Sequence, residues 1–280
     1  MILIVGCGFL GSYIARNALQ NKQEKVIATV RDLNNIPHID GVQFVKCDVT
    51  NKDDVTRLYE QTHNEKLTVF YFAACHNVDF VYENPEVARR INCDALEQFL
   101  SVMNNIEKLF FASTDCVYGE NGDIPKLDEK SPLMPVNEYG RQKIEAEKIV
   151  LTKGFVVTRL PFMLGPSLSD KPHFYDKICS QLKNHKKIEM IDGMRRSVLN
   201  YDEVSKYLLA LSQKDKLPQI INVCGDEGFS KYEIGCLVAR EIGADESLIE
   251  KISEEQGSKF FKDKRASVSV MDNSLLKTLL

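Results

Sequence analysis

The chain opens on a short apolar run, Ile2-Leu3-Ile4-Val5, that passes directly into Gly6-Cys7-Gly8-Phe9-Leu10-Gly11. No other stretch limits the fold as tightly. A strand that ends in a GxGxxG turn and continues as a helix needs its three glycines for three reasons. Gly6 admits the tight turn, Gly8 lets a diphosphate reach the backbone, and Gly11 lets the helix lie close on the sheet. Phe9 and Leu10 stand in the first turn of that helix, whose free N–H groups and positive dipole end suit an anion. At the head of the chain this arrangement predicts a dinucleotide-binding unit. A purely structural strand–helix turn is the plainer reading of the same six residues.

The pattern continues in alternation. Apolar strands are predicted over 2–5, 25–30, 42–46, 67–73, 108–113 and 155–160, and helices over 9–20, 53–61, 85–104 and 138–153. Such alternation requires a parallel sheet covered on both faces. Right-handed crossovers then give an α/β, Rossmann, doubly wound parallel sheet. Past Pro166 the regularity weakens. Helices are predicted over 175–184, 204–212 and 232–242 and a strand over 219–223. Ser230 and Glu233 have the spacing of a capping box, and Asp272 or Asn273 caps a final helix. No repeat or linker separates a second unit. We expect an NAD(P)-binding domain of residues 1–164, to which 197–225 returns, with a small interleaved C-terminal substrate lobe made of 165–196 and 226–280.

The second strand ends in Val30-Arg31-Asp32. Arg31 at that place suits a ribose 2′-phosphate and favours NADP; the neighbouring Asp32 keeps NAD possible. A solvated Arg–Asp pair in a loop is the alternative. Asp48 and Val49 follow the third strand, where a carboxylate reaches the adenine amine; a plain helix cap suits Asp48 as well.

Tyr139 and Lys143 are four residues apart on a predicted helix and share a face. A phenol titrates near ~10, and a neighbouring ammonium stabilises its phenolate, which makes Tyr139 a usable proton shuttle. Surface helices carry many such pairs. Here the pair follows a hydroxyl-bearing segment at the end of a strand, Phe110-Phe111-Ala112-Ser113-Thr114-Asp115-Cys116-Val117-Tyr118-Gly119.

Together with the glycine turn, these residues resemble the extended short-chain dehydrogenase/reductase family that acts on nucleotide sugars. The likeness runs through nearly the whole chain. It includes Ala73 and Ala74 at the cofactor-facing end of the fourth strand, Asn92, Arg159-Leu160-Pro161, Gly165-Pro166, Arg195-Arg196, and Asn222. The resemblance implies that Thr114 partners Tyr139 on the substrate oxygen; a strand-end cap is its structural alternative. It also implies that Arg195 or Arg196, together with Arg265, contacts the substrate diphosphate, and that Asp115 is a substrate residue. Surface solvation is the alternative for each arginine.

Three branches of the family compete. The 4,6-dehydratases carry Thr-Asp-Glu, and this chain has Cys116 in place of the glutamate. The dTDP-4-dehydrorhamnose reductases carry Ser-Thr-Asp, matched by Ser113-Thr114-Asp115, with Gly122-Asp123-Ile124-Pro125 and Val78-Asp79 in further agreement. GDP-fucose synthases have a cysteine where Cys116 stands and a histidine beyond Gly-Pro, where His173 lies at shorter spacing. The resemblance therefore implies a reductase of a nucleotide-linked 4-keto sugar, with Thr114, Tyr139 and Lys143 catalytic. The alternative is an epimerase, or an epimerase/reductase in which Cys116 and His173 exchange protons; simple packing is the other reading of both residues. A third class stays open because Val5 replaces the family's first glycine: a regulatory subunit that binds dinucleotide without chemistry.

Composition excludes other classes. The 36 basic and 40 acidic side chains give a net charge of −4, with no basic excess for nucleic acid or an anionic membrane. No secretory signal or apolar run of ~18 residues is present, so a cytoplasmic protein is expected. Eight cysteines without CxxC spacing read as reduced thiols, and no metal site is expected. The helices of 85–104 and 138–153 resemble those of a family homodimer, although Val87, Ile91, Leu96 and Phe99 equally suit packing on the sheet.

Overall fold

A computed structural model describes residues 1–21, 25–121 and 124–280. Gly122 and Asp123 of the reductase-like segment lie outside the described residues. The first half runs β1 (Ile2–Val5), α1 (Phe9–Gln20), β2 (Val26–Val30), β3 (Gln43–Lys46), α2 (Lys52–Thr62), β4 (Leu67–Tyr71), α3 (Val78–Glu83), α4 (Pro85–Arg89), α5 (Ala95–Val102) and β5 (Ile106–Thr114). It continues with α6 (Glu138–Thr152), β6 (Val156–Leu160), β7 (Phe162–Leu164), α7 (Phe174–Lys183), β8 (Ile188–Ile191), β9 (Arg195–Asn200) and α8 (Tyr201–Ser212). The last elements are β10 (Ile220–Asn222), β11 (Gly228–Phe229), α9 (Lys231–Glu241), β12 (Ile249–Ile252), α10 (Glu254–Ser258), β13 (Val268–Ser269) and α11 (Ser274–Leu279).

Seven parallel strands form the main sheet in the order β10-β6-β5-β4-β1-β2-β3. The order reverses between β1 and β4, and ligands of doubly wound sheets bind in the crevice at such a switch point. Period-2 alternation explains the two covered faces. Ile4, Phe70 and Phe110 face a core shared with Ile14 of α1 and Leu208 of α8, whereas Leu3, Tyr71 and Phe111 face one shared with Leu96 and Phe99 of α5. Each such side chain contributes roughly 1.5–3 kcal/mol by leaving water. Leu96 and Phe99 are thus core residues, while Val87 is 49% exposed.

The helix expected over 85–104 is not regular. A π-helical turn at Arg90–Asp94 joins α4 to α5. It carries Asn92, buried at 2% exposure, whose amide accepts from the Cys75 N–H and donates to the Cys75 carbonyl and to Gln142. Those bonds tie the turn to the segment after β4, and single π turns recur at functional sites.

The later part of the chain holds strands that the weak periodicity did not reveal. β9 is central to a small sheet, pairing with β7, β11 and β13, while β8 pairs with β12. A third core, with Ile178, Leu182, Met190, Ile234 and Ile249, packs α7 and α9 on the β8–β12 pair. Ser230 caps α9 with Glu233 as expected. The last helix differs in detail: Ser274 N–H is taken by Asp272, and Asn273 stands at the cap position without a side-chain cap bond. No helix among the described residues is long and apolar enough to cross a membrane.

Candidate active site

The glycine turn is shaped by its neighbours. Val5 O accepts from the N–H groups of Phe72 and Ala73, and Gly6 N–H donates to Thr29 Oγ1 at 2.9 Å. Gly6 has φ +87°, and a Cβ there would stand 2.7 Å from Ala73 N. At Gly11 a Cβ would stand 3.0 Å from the Gly6 carbonyl oxygen. A Cβ on Gly8 would meet nothing within 4 Å, so the space above it is open. Gly8 stands at the N-cap of α1, which has no side-chain cap and no acidic residue in its first turn. Its N–H groups are left for an anion, which fits a dinucleotide diphosphate. Leu10 is buried, and Phe9 stacks on His173 with ring centres 4.0 Å apart.

Arg31 is exposed at the end of β2 and forms no ion pair among the described residues; its charge acts on Asp48 and Cys75. Asp32 is occupied: it accepts from Asn34 N–H and from the side-chain amides of Asn34 and Asn35. Asp48 takes the backbone and side chain of Thr50 on one oxygen, and Val49 O accepts from Gln98. Ala74 follows Ala73 into the crevice and leads to His76. His76 is exposed at its rim, yet desolvation of its imidazole lowers its pKa, and Lys143 adds to that shift.

Five of the expected site residues converge at the end of β5. Thr114 Oγ1 donates to Asp115 Oδ1 at 3.1 Å and accepts from Cys116 N–H at 3.2 Å. α6 comes so close that a Cβ on Gly140 would stand 2.6 Å from the Cys116 carbonyl oxygen. The Asn137 cap, which accepts from Gly140 N–H, fixes that first turn and sets Tyr139 against Cys116. Burial, then Cys116 and Asp115, push the Tyr139 phenol above its ordinary range. The cation that opposes this shift is Arg196 of β9. Arg196 holds Asp115 with two hydrogen bonds, and its Nη2 is 3.6 Å from Cys116 Sγ. Burial also pushes the Cys116 thiol up.

Lys143 lies one turn beyond Tyr139, 2% exposed, with Nζ 3.9 Å from the centre of the Phe111 ring. Burial lowers it to about 7, against the opposing charge of Glu147. His173 falls elsewhere. Its Nδ1 is 3.2 Å from the Tyr201 hydroxyl, its N–H donates to Asp176, and its ring covers Phe9 of the glycine turn. Its contacts lie at the glycine turn and the start of α8, whereas Cys116 touches Arg196 and Tyr139. Arg265 donates to Asp79 at 2.9 Å and stacks over Phe261. Arg195 turns away to Glu233.

Residues 2–224 match the family described as the NAD dependent epimerase/dehydratase family. The chain belongs to that family. A Bacillus subtilis protein named an uncharacterized UDP-glucose epimerase is 26% identical over 291 residues, 95% of this chain and 86% of that one. The structure of a Thermus thermophilus UDP-glucose 4-epimerase in complex with NAD superposes with a TM-score of 0.84 at 22% identity, over 99% of this chain and 92% of that one. A Clostridium acetobutylicum dTDP-4-dehydrorhamnose reductase gives 0.78 at 19% identity, over 99% and 91%.

Two residues of this epimerase/dehydratase family member escaped the sequence reading. Lys231 directly follows Ser230, whose capping role was sufficient to explain that segment. His76 lies two residues past Ala74, in a stretch read only for its alanines and for Val78-Asp79.

Proposed function

We propose that the chain reduces a nucleotide-linked 4-keto sugar, with Tyr139 giving the proton and Thr114 orienting the carbonyl oxygen. The observation that carries this reading is the junction of β5 and α6. Cys116, two residues past Thr114 and bonded to its hydroxyl through the backbone N–H, packs against Tyr139 there, and it offers a neutral thiol instead of a second carboxylate. A buried phenol held above its ordinary range is protonated at neutral pH, as a proton donor must be. A nicotinamide dinucleotide at the glycine turn supplies the hydride. Once the proton has left, Arg196 is the cation that favours the phenolate; Lys143, one turn along α6, adds to it only while protonated. Residues 165–196 and 226–280 hold the nucleotide, with Arg196 and Arg265 toward its phosphates.

NADP is the preferred cofactor in this reading, because Arg31 is unpaired among the described residues while Asp32 is consumed by Asn34 and Asn35. A homodimer through α4–α6 belongs to the same proposal, with Val87 as an exposed contact. Incubating the protein with NADPH and a panel of 4-keto nucleotide sugars tests the reaction: net NADPH consumption supports it, and none with any sugar contradicts it.

A second reading is a nucleotide-sugar 4-epimerase, supported by the similarity over 95% of the chain to the Bacillus subtilis protein. It uses the same Thr114, Tyr139 and Lys143 but returns the cofactor unchanged. The version with Cys116 and His173 as a proton-exchanging pair has less support, since the His173 ring packs on Phe9 and its Nδ1 meets the Tyr201 hydroxyl.

A further inference from the structure

Lys231 opens α9 and is half-buried beside the junction of β9 with the end of β5. Its Nζ stands 5.5 Å from the centre of the Phe174 ring and 5.6 Å from that of Phe261. Phe174 begins α7 and Phe261 lies in the loop before β13, so two segments remote in sequence from α9 flank the ammonium. Two further cations act on it, Arg196 from β9 and Arg265 from the loop of Phe261. Each arginine already has its own carboxylate: Asp115 for Arg196 and Asp79 for Arg265. Lys231 has no hydrogen bond or ion pair among the described residues.

The cluster therefore holds one positive charge more than its carboxylates balance, and Lys231 carries it. Burial first, then Arg196 and Arg265, lower Lys231 to about 8, with Asp79 opposing. Aromatic faces stabilise a cation only in part, by roughly 0.5–2 kcal/mol. An uncompensated ammonium in such a place gains most from an incoming anion, because the anion replaces lost water and offsets two like charges.

We propose that Lys231 receives an anionic oxygen of the substrate and sets the requirement for a charged group that the two internally paired arginines do not set. This rests on the nucleotide-sugar reading. A phosphate oxygen of the diphosphate and a carboxylate on the sugar share the chemistry, and they are separated by the choice of probe.

The test is calorimetric titration of the full chain loaded with NADP. The probes are UDP and dTDP, with uridine and thymidine as uncharged controls, and UDP-glucuronate against UDP-glucose. Lys231→Met keeps the stem between the rings and removes the charge. It is expected to weaken UDP or dTDP binding at least tenfold while NADP and nucleoside binding hold, and Lys231→Arg is expected to recover most of the loss. A loss confined to UDP-glucuronate places the anion on the sugar and equally supports the proposal. Between pH 7 and 9 the wild type weakens and Lys231→Arg does not. The other charged groups facing Lys231 are Arg196, Arg265 and Asp79. The arginines stay protonated in this range. Despite burial, the Asp263 and Lys262 N–H groups and Arg265 hold the Asp79 carboxyl low. Undiminished binding of every charged probe to Lys231→Met, or an equal loss for the nucleosides, overturns the proposal. A wild type that binds NADP but no nucleotide probe overturns the nucleotide-sugar reading as well.

Discussion

Arg196 and Asp115 form a two-pronged ion pair, Nε to Oδ2 at 2.7 Å and Nη2 to Oδ1, with Asp115 fully buried. Thr114 Oγ1 and Ser269 Oγ each add a bond to the same carboxylate at 3.1 Å. The pair joins β9 of the small sheet to the end of β5 in the main sheet, directly beside Thr114 and Tyr139. It sets the position of the lobe and leaves a guanidinium facing the phenol. Removing one partner of such a pair strands the other charge, which costs about 2–4 kcal/mol when one side is partly wet. Asp115→Asn is expected to lower urea-unfolding stability by that amount. An unchanged midpoint contradicts the role given to the pair.

Tyr139→Phe removes one oxygen from a buried ring and leaves its packing in place, so the fold is expected to survive. Loss of a positioned proton donor costs ~10²–10⁴-fold in rate. We expect kcat to fall within that range while the dissociation constant for NADPH stays within a factor of about two, read by fluorescence titration. A variant that turns over normally would falsify the assignment.

Arg31 decides cofactor choice in this account. A hydrogen bond to a charged group contributes roughly 1.5–3 kcal/mol, or about 10–100-fold. Arg31→Ala is expected to reduce kcat/KM with NADPH by that factor and to leave NADH nearly unaffected. Equal losses with both cofactors would mean that Arg31 does not contact a 2′-phosphate.

Lys143 makes stability depend on pH. Its value is about 7 in the folded protein against an ordinary 10.5. Between these limits the unfolded chain holds a proton that the folded chain has released, so unfolding takes up a proton and stability rises with pH. From pH 7 to 8.5, below the ordinary range of the thiols, the wild type without cofactor is expected to gain stability more steeply than Lys143→Met. Parallel slopes in urea titrations at a series of pH values contradict the burial of a titrating lysine.

Much of this was legible because the first half of the chain repeats one simple physical unit. Its inner strands are mainly apolar and buried, the glycine turn and Thr114 stand at the ends of β1 and β5, and Tyr139 and Lys143 share a face of α6. The π turn at Arg90–Asp94 was not legible, since its cause is a tertiary bond from Asn92 to the Cys75 backbone. β11 and β13 are two residues long and owe their existence to β9, which is remote in sequence; no local periodicity announces them. The Arg196–Asp115 pair spans 81 positions and is visible only after β7 has carried the chain from β6 toward β9. His173 shows the reverse case. Its place after Gly165-Pro166 suggested a partner for Cys116, yet its imidazole packs on Phe9, because Asp176 and Tyr201 fix the start of α7 against the glycine turn.

The most direct measurement follows two hydrogen sources in one reaction. NADPH deuterated at the transferred position is incubated in ordinary water with a 4-keto nucleotide sugar, and a parallel sample uses unlabelled NADPH in deuterated water. The account predicts one deuterium at sugar C4 per NADPH consumed in the first sample and none at C3 or C5 in the second. Solvent deuterium at C3 or C5, or sugar inversion at C4 without net NADPH consumption, contradicts it.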